Sequence, residues 1–233
     1  QQVEVEVSDL KSKGGETIKS SSIDIKIVKC WYQDKGSDFP EKTPFGARVI
    51  MKSSGEKVLV PELLLKDDNL IKVDYEEGKH YLKINTGEEE KYIEITPGKD
   101  VAEIEKQLPE GYRYRDKDRK NYAKAFTFVR DSEKLLPFQL KAFENKQVWL
   151  TIKVPENQKA GIYEGVIKVK NEGKEIANIP MKVRVLPFKL GRAHPISSIY
   201  GGYVYDSIYG ENVLNQFRKE TEDLLSHGIY NVV

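Results

Sequence analysis

The sequence predicts a mainly β protein, an antiparallel β-sandwich followed by the opening of a parallel α/β fold. Three observations carry this expectation. Residues 147–169 read as two alternating strands around a Pro/Gly-punctuated turn. Strand patterns recur along almost the whole chain before Gly191. Past Pro187 the pattern changes to strand, loop, helix, glycine, strand.

At the start, Val3, Val5 and Val7 alternate with Gln2, Glu4 and Glu6, the period of two that a half-buried strand requires. Residues 9–15 form a polar bend before Ile18. Ile23, Ile25 and Ile27 then alternate with Asp24, Lys26 and Val28 and run into Cys30, Trp31 and Tyr32. Ser53-Ser54-Gly55 separates two apolar runs, 49–51 and 58–60, which is a hairpin signal, and residues 61–65 carry a short apolar run. Tyr81, Lys83 and Asn85 alternate with Leu82 and Ile84, and the run 92–95 stops at Thr96-Pro97-Gly98. A short helix is expected over 100–108, where Val101, Ile104 and Leu108 have helical spacing and Pro109 closes it.

In the central segment, Val148, Leu150, Ile152 and Val154 share one face of a strand, with Trp149, Thr151 and Lys153 on the other, and Pro155 ends it. Ala160-Gly161 lets the chain turn into a returning strand, Tyr163, Gly165, Ile167 and Val169 against Ile162, Val166 and Lys168. A third strand follows the turn at 171–174, with Ile179, Met181, Val183 and Val185 on one face. Three such strands in a row make an antiparallel sheet that needs a second sheet to cover its dry face. From residue 211 to 227, Leu214, Phe217, Leu224 and Leu225 mark one face of an amphipathic helix, Gly228 suits its stop, and 229–233 resumes as an apolar strand. With residues 196–200 as the preceding strand, this is one βαβ unit, which cannot close its own core. The chain is therefore expected to be the front part of a longer protein. Its start inside a strand, with no cap or leader, suggests a cut at that end too.

Composition excludes several function classes. There are 38 basic and 37 acidic side chains, so no global field attracts nucleic acid or an anionic membrane. No apolar run approaches the ~20 residues of a membrane span, and the first residues form a strand pattern rather than a signal sequence. The one cysteine, Cys30, makes no internal disulfide and reads as a packed core residue. His80, His194 and His227 stand apart, with no metal constellation, phosphate loop or Ser-His-Asp arrangement, and no cofactor is implied. Asp67-Asp68, residues 88–90 and Glu222-Asp223 read as solvated charge. In the loop 110–131, Asp116 and Asp118 dilute the basic residues and argue against a nucleic-acid surface. Tyr112 and Tyr114 there either pack on the sheet or stack on sugar rings.

The run Trp149 to Pro155, followed by Ala160-Gly161-Ile162-Tyr163-Glu164-Gly165, resembles the sandwich that precedes the catalytic barrel in family 123 glycosidases and related bacterial domains. Residues 5–10, 28–32 and 135–138 are similar to that group's earlier strands, and 222–232 to its first barrel helix and second strand. The resemblance implies a sandwich region over 1–190, built as one sandwich or as two sub-sandwiches. It implies that 191–233 is a linker and the truncated start of a (β/α)8 barrel. It also implies extracellular or periplasmic placement. The family's chemistry is substrate-assisted: the substrate's acetamido oxygen attacks, an Asp orients it and a neighbouring Glu is the general acid/base on a later barrel strand. No catalytic residue is carried over to this chain, because the sequence ends before that strand.

If residues 196–200 are the first barrel strand, Tyr203, Tyr205 and Asp206 follow its carboxyl end, where barrel active sites lie. They then line a sugar subsite, the other reading being a loop packed on the sandwich. Trp149 and Tyr163 are expected to be packing residues. Two function classes remain. One is the non-catalytic sandwich portion of a glycoside-hydrolase-like protein, with carbohydrate and the rest of its own polypeptide as partners. The other is a carbohydrate-binding or structural cell-surface module with no enzymatic activity.

Overall fold

The computed structural model describes residues 1–35, 55–109, 129–190 and 213–226. The chain divides into two compact units, residues 1–100 with 130–188, and residues 101–129 with 189–233. In chain order the strands of the first unit are β1 (Gln2–Val7), β2 (Leu10–Ser12), β3 (Thr17–Ile18), β4 (Ile23–Asp34), β5 (Lys57–Leu65), β6 (Ile71–Asp74), β7 (Lys79–Asn85), β8 (Glu90–Glu94), β9 (Phe138–Gln139), β10 (Gln147–Ile152), β11 (Gly161–Asn171) and β12 (Lys174–Val185).

All described pairings are antiparallel. One sheet holds β1, β2, β3, β9, β11 and β12, a second holds β10, β4 and β5 in that order, and a third is the meander β6-β7-β8. The alternation read in the sequence sets which residues meet between the first two sheets. Leu10, Ile18 and Tyr163 from the first bury against Ile23 of the second, with Leu150, Ile152, Met181, Val183 and Val185 packed around them. Val3 and Phe138 bury against Ile27 in the adjoining cluster. This face-to-face burial is the expected sandwich.

The expected hairpin of residues 147–169 is not formed. β10 pairs with β4 from Gln147↔Val28 to Ile152↔Ile23, whereas β11 pairs with β1, β2 and β12, so the turn at 153–160 carries the chain from one sheet to the other. Alternation defines the dry face of each strand but not its hydrogen-bonding partner. Trp149 is corrected as well: it lies on the outer face of β10 and is 49% exposed, while Tyr163 is fully buried. Of the expected hairpin around Ser53-Ser54-Gly55, residues 49–54 lie outside the described residues, and 58–60 belong to β5, paired with β4.

β4 is long enough to serve two cores. Its first half faces the first sheet; beyond Ile27, Trp31 joins Leu63 and Leu65 of β5 in packing against Leu70, just before the meander, and against Ile71, Val73 and Leu82 of the meander itself. Opposite Lys29 and Cys30 the register shifts, leaving Glu62 as an extra residue on β5, and its carboxylate accepts from Trp31 Nε1 and Gln33 Nε2, each at 2.8 Å. Cys30 is half-buried on the opposite face of β4, rather than in a core. Asp68 is not the surface charge expected of it: its carboxylate sits between Lys29 (2.8 Å) and Lys146 (2.6 Å), and all three side chains are only 11% exposed.

His80 locks the meander to β4. Its ring is buried, lies 5.0 Å from the Trp31 ring, and accepts the Tyr32 backbone N–H at Nδ1 (3.2 Å). Accepting at Nδ1 requires a neutral imidazole, and burial, with Lys57 nearby, holds its pKa below 6.5 against the Ile95 backbone and Glu94. A depressed histidine pKa means that the unfolded chain binds the extra proton, so stability is complete above pH 6.5 and falls as pH drops toward the folded value. Urea unfolding of the chain between pH 7 and pH 5 should show that fall, and His80→Gln should flatten it; an unchanged slope in the variant refutes the assignment.

In the second unit, α1 (Val101–Lys106) occupies the expected short helix and Leu108 beyond it is buried. α2 (Val213–Ser226) matches the expected amphipathic helix; Glu222 is exposed and paired with Arg218 at 2.9 Å, as a solvated charge should be. The strands expected on either side of α2 lie outside the described residues. The architecture is mainly β with antiparallel sheets and few helices.

Candidate functional site

Among the described residues, the first unit has an opening on one side of the sandwich where each sheet lacks a strand partner. β9 pairs with β1 only at Gln2 and Val3, because Leu136, the next residue in phase to bond β1, donates its N–H instead to Lys66 C=O (2.8 Å), just past the end of β5. β5 accompanies β4 only from Ile27 onward. Beyond Leu65 the Lys66 and Asp67 N–H groups donate to the Asp131 carboxylate (2.8 Å each), and the chain enters the 3-10 turn Asp68–Leu70, capped by Asp67.

Which main-chain groups this leaves open follows from the ladder phase. Glu172 N–H donates to Gln2 C=O and Ser8 N–H to Val166 C=O, while Gln1 and Leu140 exchange both bonds. Even-numbered residues of β1 therefore bond toward β11, and Val5 and Val7 present N–H and C=O to the side that β9 has left. On β4, Lys153 N–H donates to Ser22 C=O, so even residues bond toward β10. Ile25 consequently presents its main chain to the side where β5 is missing.

Between these edges lies a cleft of about 920 Å³. Val5, Val7, Ile23, Ile25 and Leu135 make its apolar wall. Ser20, Ser21, Ser22 and Thr151 bring hydroxyl groups to it. The serines belong to the 3-10 turn Ser20–Ser22, where the chain crosses from β3 to β4, and the Asp9 carboxylate fixes that crossing by accepting Ser20 N–H (2.8 Å) and Lys19 Nζ (2.9 Å). The Ser20 N–H and the Lys19 ammonium hold the Asp9 carboxyl below the usual carboxylate range. The lining also carries three carboxylates, Glu6, Asp24 and Glu133, and three ammoniums, Lys66, Lys134 and Lys153. Asp24 pairs with Lys66 (2.9 Å) and Lys26 (3.3 Å), and Glu6 with Lys170 (2.6 Å). Partial desolvation works against the Asp24 charge, but hydrogen bonds from Lys66 and Lys26 outweigh it and lower its pKa. Trp149 lies on the same face of β10 as Thr151, opposite Lys26 in the register.

A second cleft of about 510 Å³ surrounds the β2–β3 turn and the start of β11. Lys11, Lys13, Lys159 and Lys182 dominate its rim, with Glu16 paired to Lys159 and Glu164 to Lys182. Its cations stand on long exposed side chains, a setting in which ion pairs contribute little and are screened by salt.

Tyr112, Tyr114, Tyr203, Tyr205 and Asp206, together with His194 and His227, lie outside the described residues. Among the described residues, no group of three or more His, Cys, Asp or Glu is placed to hold a metal ion, and no helix is long and apolar enough to cross a membrane. The side cleft escaped the sequence reading. Its one local signal is Ser20-Ser21-Ser22, and its shape depends on where β5 and β9 stop pairing.

Residues 101–171 match the family model described as the glycoside hydrolase 123 N-terminal domain. This region resembles a family 123 glycoside hydrolase domain. The fold of the whole chain is similar to that of a family 123 glycoside hydrolase from Clostridium perfringens, solved in a study of glycolipid glycan hydrolysis. The TM-score is 0.50 at 16% identity, with 99% of this chain and 28% of that one covered. The chain thus spans 28% of the length of that hydrolase. No curated protein is matched.

Proposed function

We propose that the chain is the non-catalytic β-sandwich portion of a glycoside-hydrolase-like protein that acts on carbohydrate, with the catalytic residues elsewhere in that protein. The observation that carries this reading is the match of residues 101–171 to a family 123 N-terminal domain. The carboxylates of the sandwich agree with it, since Asp9, Asp68, Asp131 and Glu62 each hold backbone or side-chain donors in place and do not stand ready for proton transfer. On this reading residues 1–190 form the sandwich region and 191–233 a linker and the opening βαβ unit of a (β/α)8 barrel, with α2 as its first helix. Tyr203, Tyr205 and Asp206 then line the barrel rim, Tyr112 and Tyr114 offer rings for sugar stacking, and the protein works outside the cytoplasm.

The purified chain, incubated with nitrophenyl 2-acetamido-glycosides and with glycolipid-derived glycans, should release no more nitrophenol or sugar than buffer does. Release that scales with protein and persists through repurification would overturn the non-catalytic assignment. A purely sugar-binding module is the second reading, and the side cleft favours it.

A further inference from the structure

We propose that the side cleft of the sandwich is a saccharide-binding site, taking one uncharged sugar ring between the open edges of β1 and β4 and offering the Trp149 indole as a platform for the next ring. The proposal deepens the carbohydrate reading above and rests on it for the choice of a sugar over other polyols.

Four features select the occupant. Three ammoniums face three carboxylates, and Asp24 and Glu6 already hold lysine partners, so the lining does not favour a charged ligand of either sign. The chain crosses between the sheets at Ser20–Ser22 and again at 133–136, framing the cleft at both ends. A through-running peptide strand would meet these crossings, whereas a compact ring does not. Val5, Val7 and Ile25, with their open N–H and C=O groups, line the cleft together with the three serines and, from the outer face of β10, Thr151. Donors and acceptors that line one cleft together match vicinal hydroxyls, each of which donates and accepts. The apolar wall of Val5, Val7, Ile23 and Ile25 supplies contact for the C–H face of a ring, the mixture typical of small-molecule sites. Trp149 sits one residue pair from Thr151, about 7 Å along the strand, with half its surface in water. A second sugar that follows the first over the β4 edge onto this outer face would meet it.

Calorimetry and tryptophan fluorescence on the whole chain test this, with the methyl glycosides of glucose and galactose, their 2-acetamido counterparts, cellotetraose and chitotetraose as probes and sorbitol as the control. At least one monosaccharide should bind in the millimolar range, and its tetrasaccharide more tightly. Ser21 is exposed, so Ser21→Trp should fill the mouth without changing the melting temperature and abolish binding of both. Trp149→Ala should weaken the tetrasaccharide about tenfold and leave the monosaccharide unchanged. No binding across the panel, binding no stronger than that of sorbitol, or binding indifferent to Ser21→Trp overturns the site. Equal loss for both ligands in Trp149→Ala overturns the platform. A chain that binds no sugar leaves the accessory reading standing, because that reading fails only on hydrolysis.

Discussion

Asp68→Ala should lower the unfolding free energy by about 3–5 kcal/mol, the cost of leaving buried charge without its partner. Lys29 Nζ donates to the Asp68 carboxylate at 2.8 Å and to its backbone carbonyl at 2.9 Å, and Lys146 Nζ donates to both carboxylate oxygens, at 2.7 and 2.6 Å. Two ammoniums thus share one carboxylate, with Glu144 3.9 Å from Lys146 as a weaker fourth member. Burial makes the carboxylate costly to ionise, yet the two lysines overcome this and its pKa is lowered. Burial acts on Lys29 in the other direction: it outweighs the attraction of Asp68, and the neighbouring Lys146 adds to it, so the ammonium pKa is also lowered. A depressed carboxylate pKa gives stability that is present above the ordinary value of about 3.9 and is lost as pH falls through the folded one. Urea unfolding at pH 7 and at pH 3 should therefore show a large difference between wild type and Asp68→Ala at pH 7 that shrinks at pH 3. Asp68→Asn keeps the shape without the charge and should fall near Ala. If Asn is as stable as wild type at pH 7, the charge is not what holds this junction.

Asp68 also shows where a linear reading stops. Beside Asp67, in a polar stretch between two apolar runs, it has every local mark of a solvated turn. What buries it is the arrival of Lys29 from β4 and Lys146 from the approach to β10, 39 and 78 residues away. Faces were legible for the opposite reason. Ile23, Ile25 and Ile27, or Leu150 and Ile152, declare a dry side through neighbours two apart, and the structure buries or half-buries each of them. Partners were not legible. The turn at 153–160 has the residues of a hairpin turn, and only the competing ladders of β4 and β1 send its two strands to different sheets. Trp149 failed in the same way: its side of β10 was read correctly, but nothing local says that this side stays half in water. The side cleft is the extreme case, because it is made by strands that end.

Tyr163→Ala should cost about 3–5 kcal/mol, comparable with Asp68→Ala but for reasons of volume. The ring is fully buried with Leu10, Ile18 and Ile23, where both sheets and the β2–β3 arm converge. Its hydroxyl donates to Lys159 C=O (2.7 Å) and accepts from Gln158 Nε2 (2.8 Å), which ties the crossover at 153–160 to the core. Tyr163→Phe separates the two roles. It keeps the ring and should cost only about 1–2 kcal/mol, while amide exchange across 156–160 rises more than it does elsewhere. Uniform change in exchange would mean that the hydroxyl does not hold the crossover. Gly165, two residues on, shares the inward face for a complementary reason: a Cβ there would lie 2.5 Å from Leu10 Cδ2 and 3.0 Å from the Asp9 carbonyl oxygen. That space is taken by the bend between β1 and β2, where Ser8 Oγ accepts Val166 N–H at 3.0 Å. The Ala-Gly-x-Tyr-x-Gly run is thus a packing device, a large side chain beside an absent one, that lets β1 and β2 both lie along β11. The same bend follows directly on Val5 and Val7, the open edge of the side cleft.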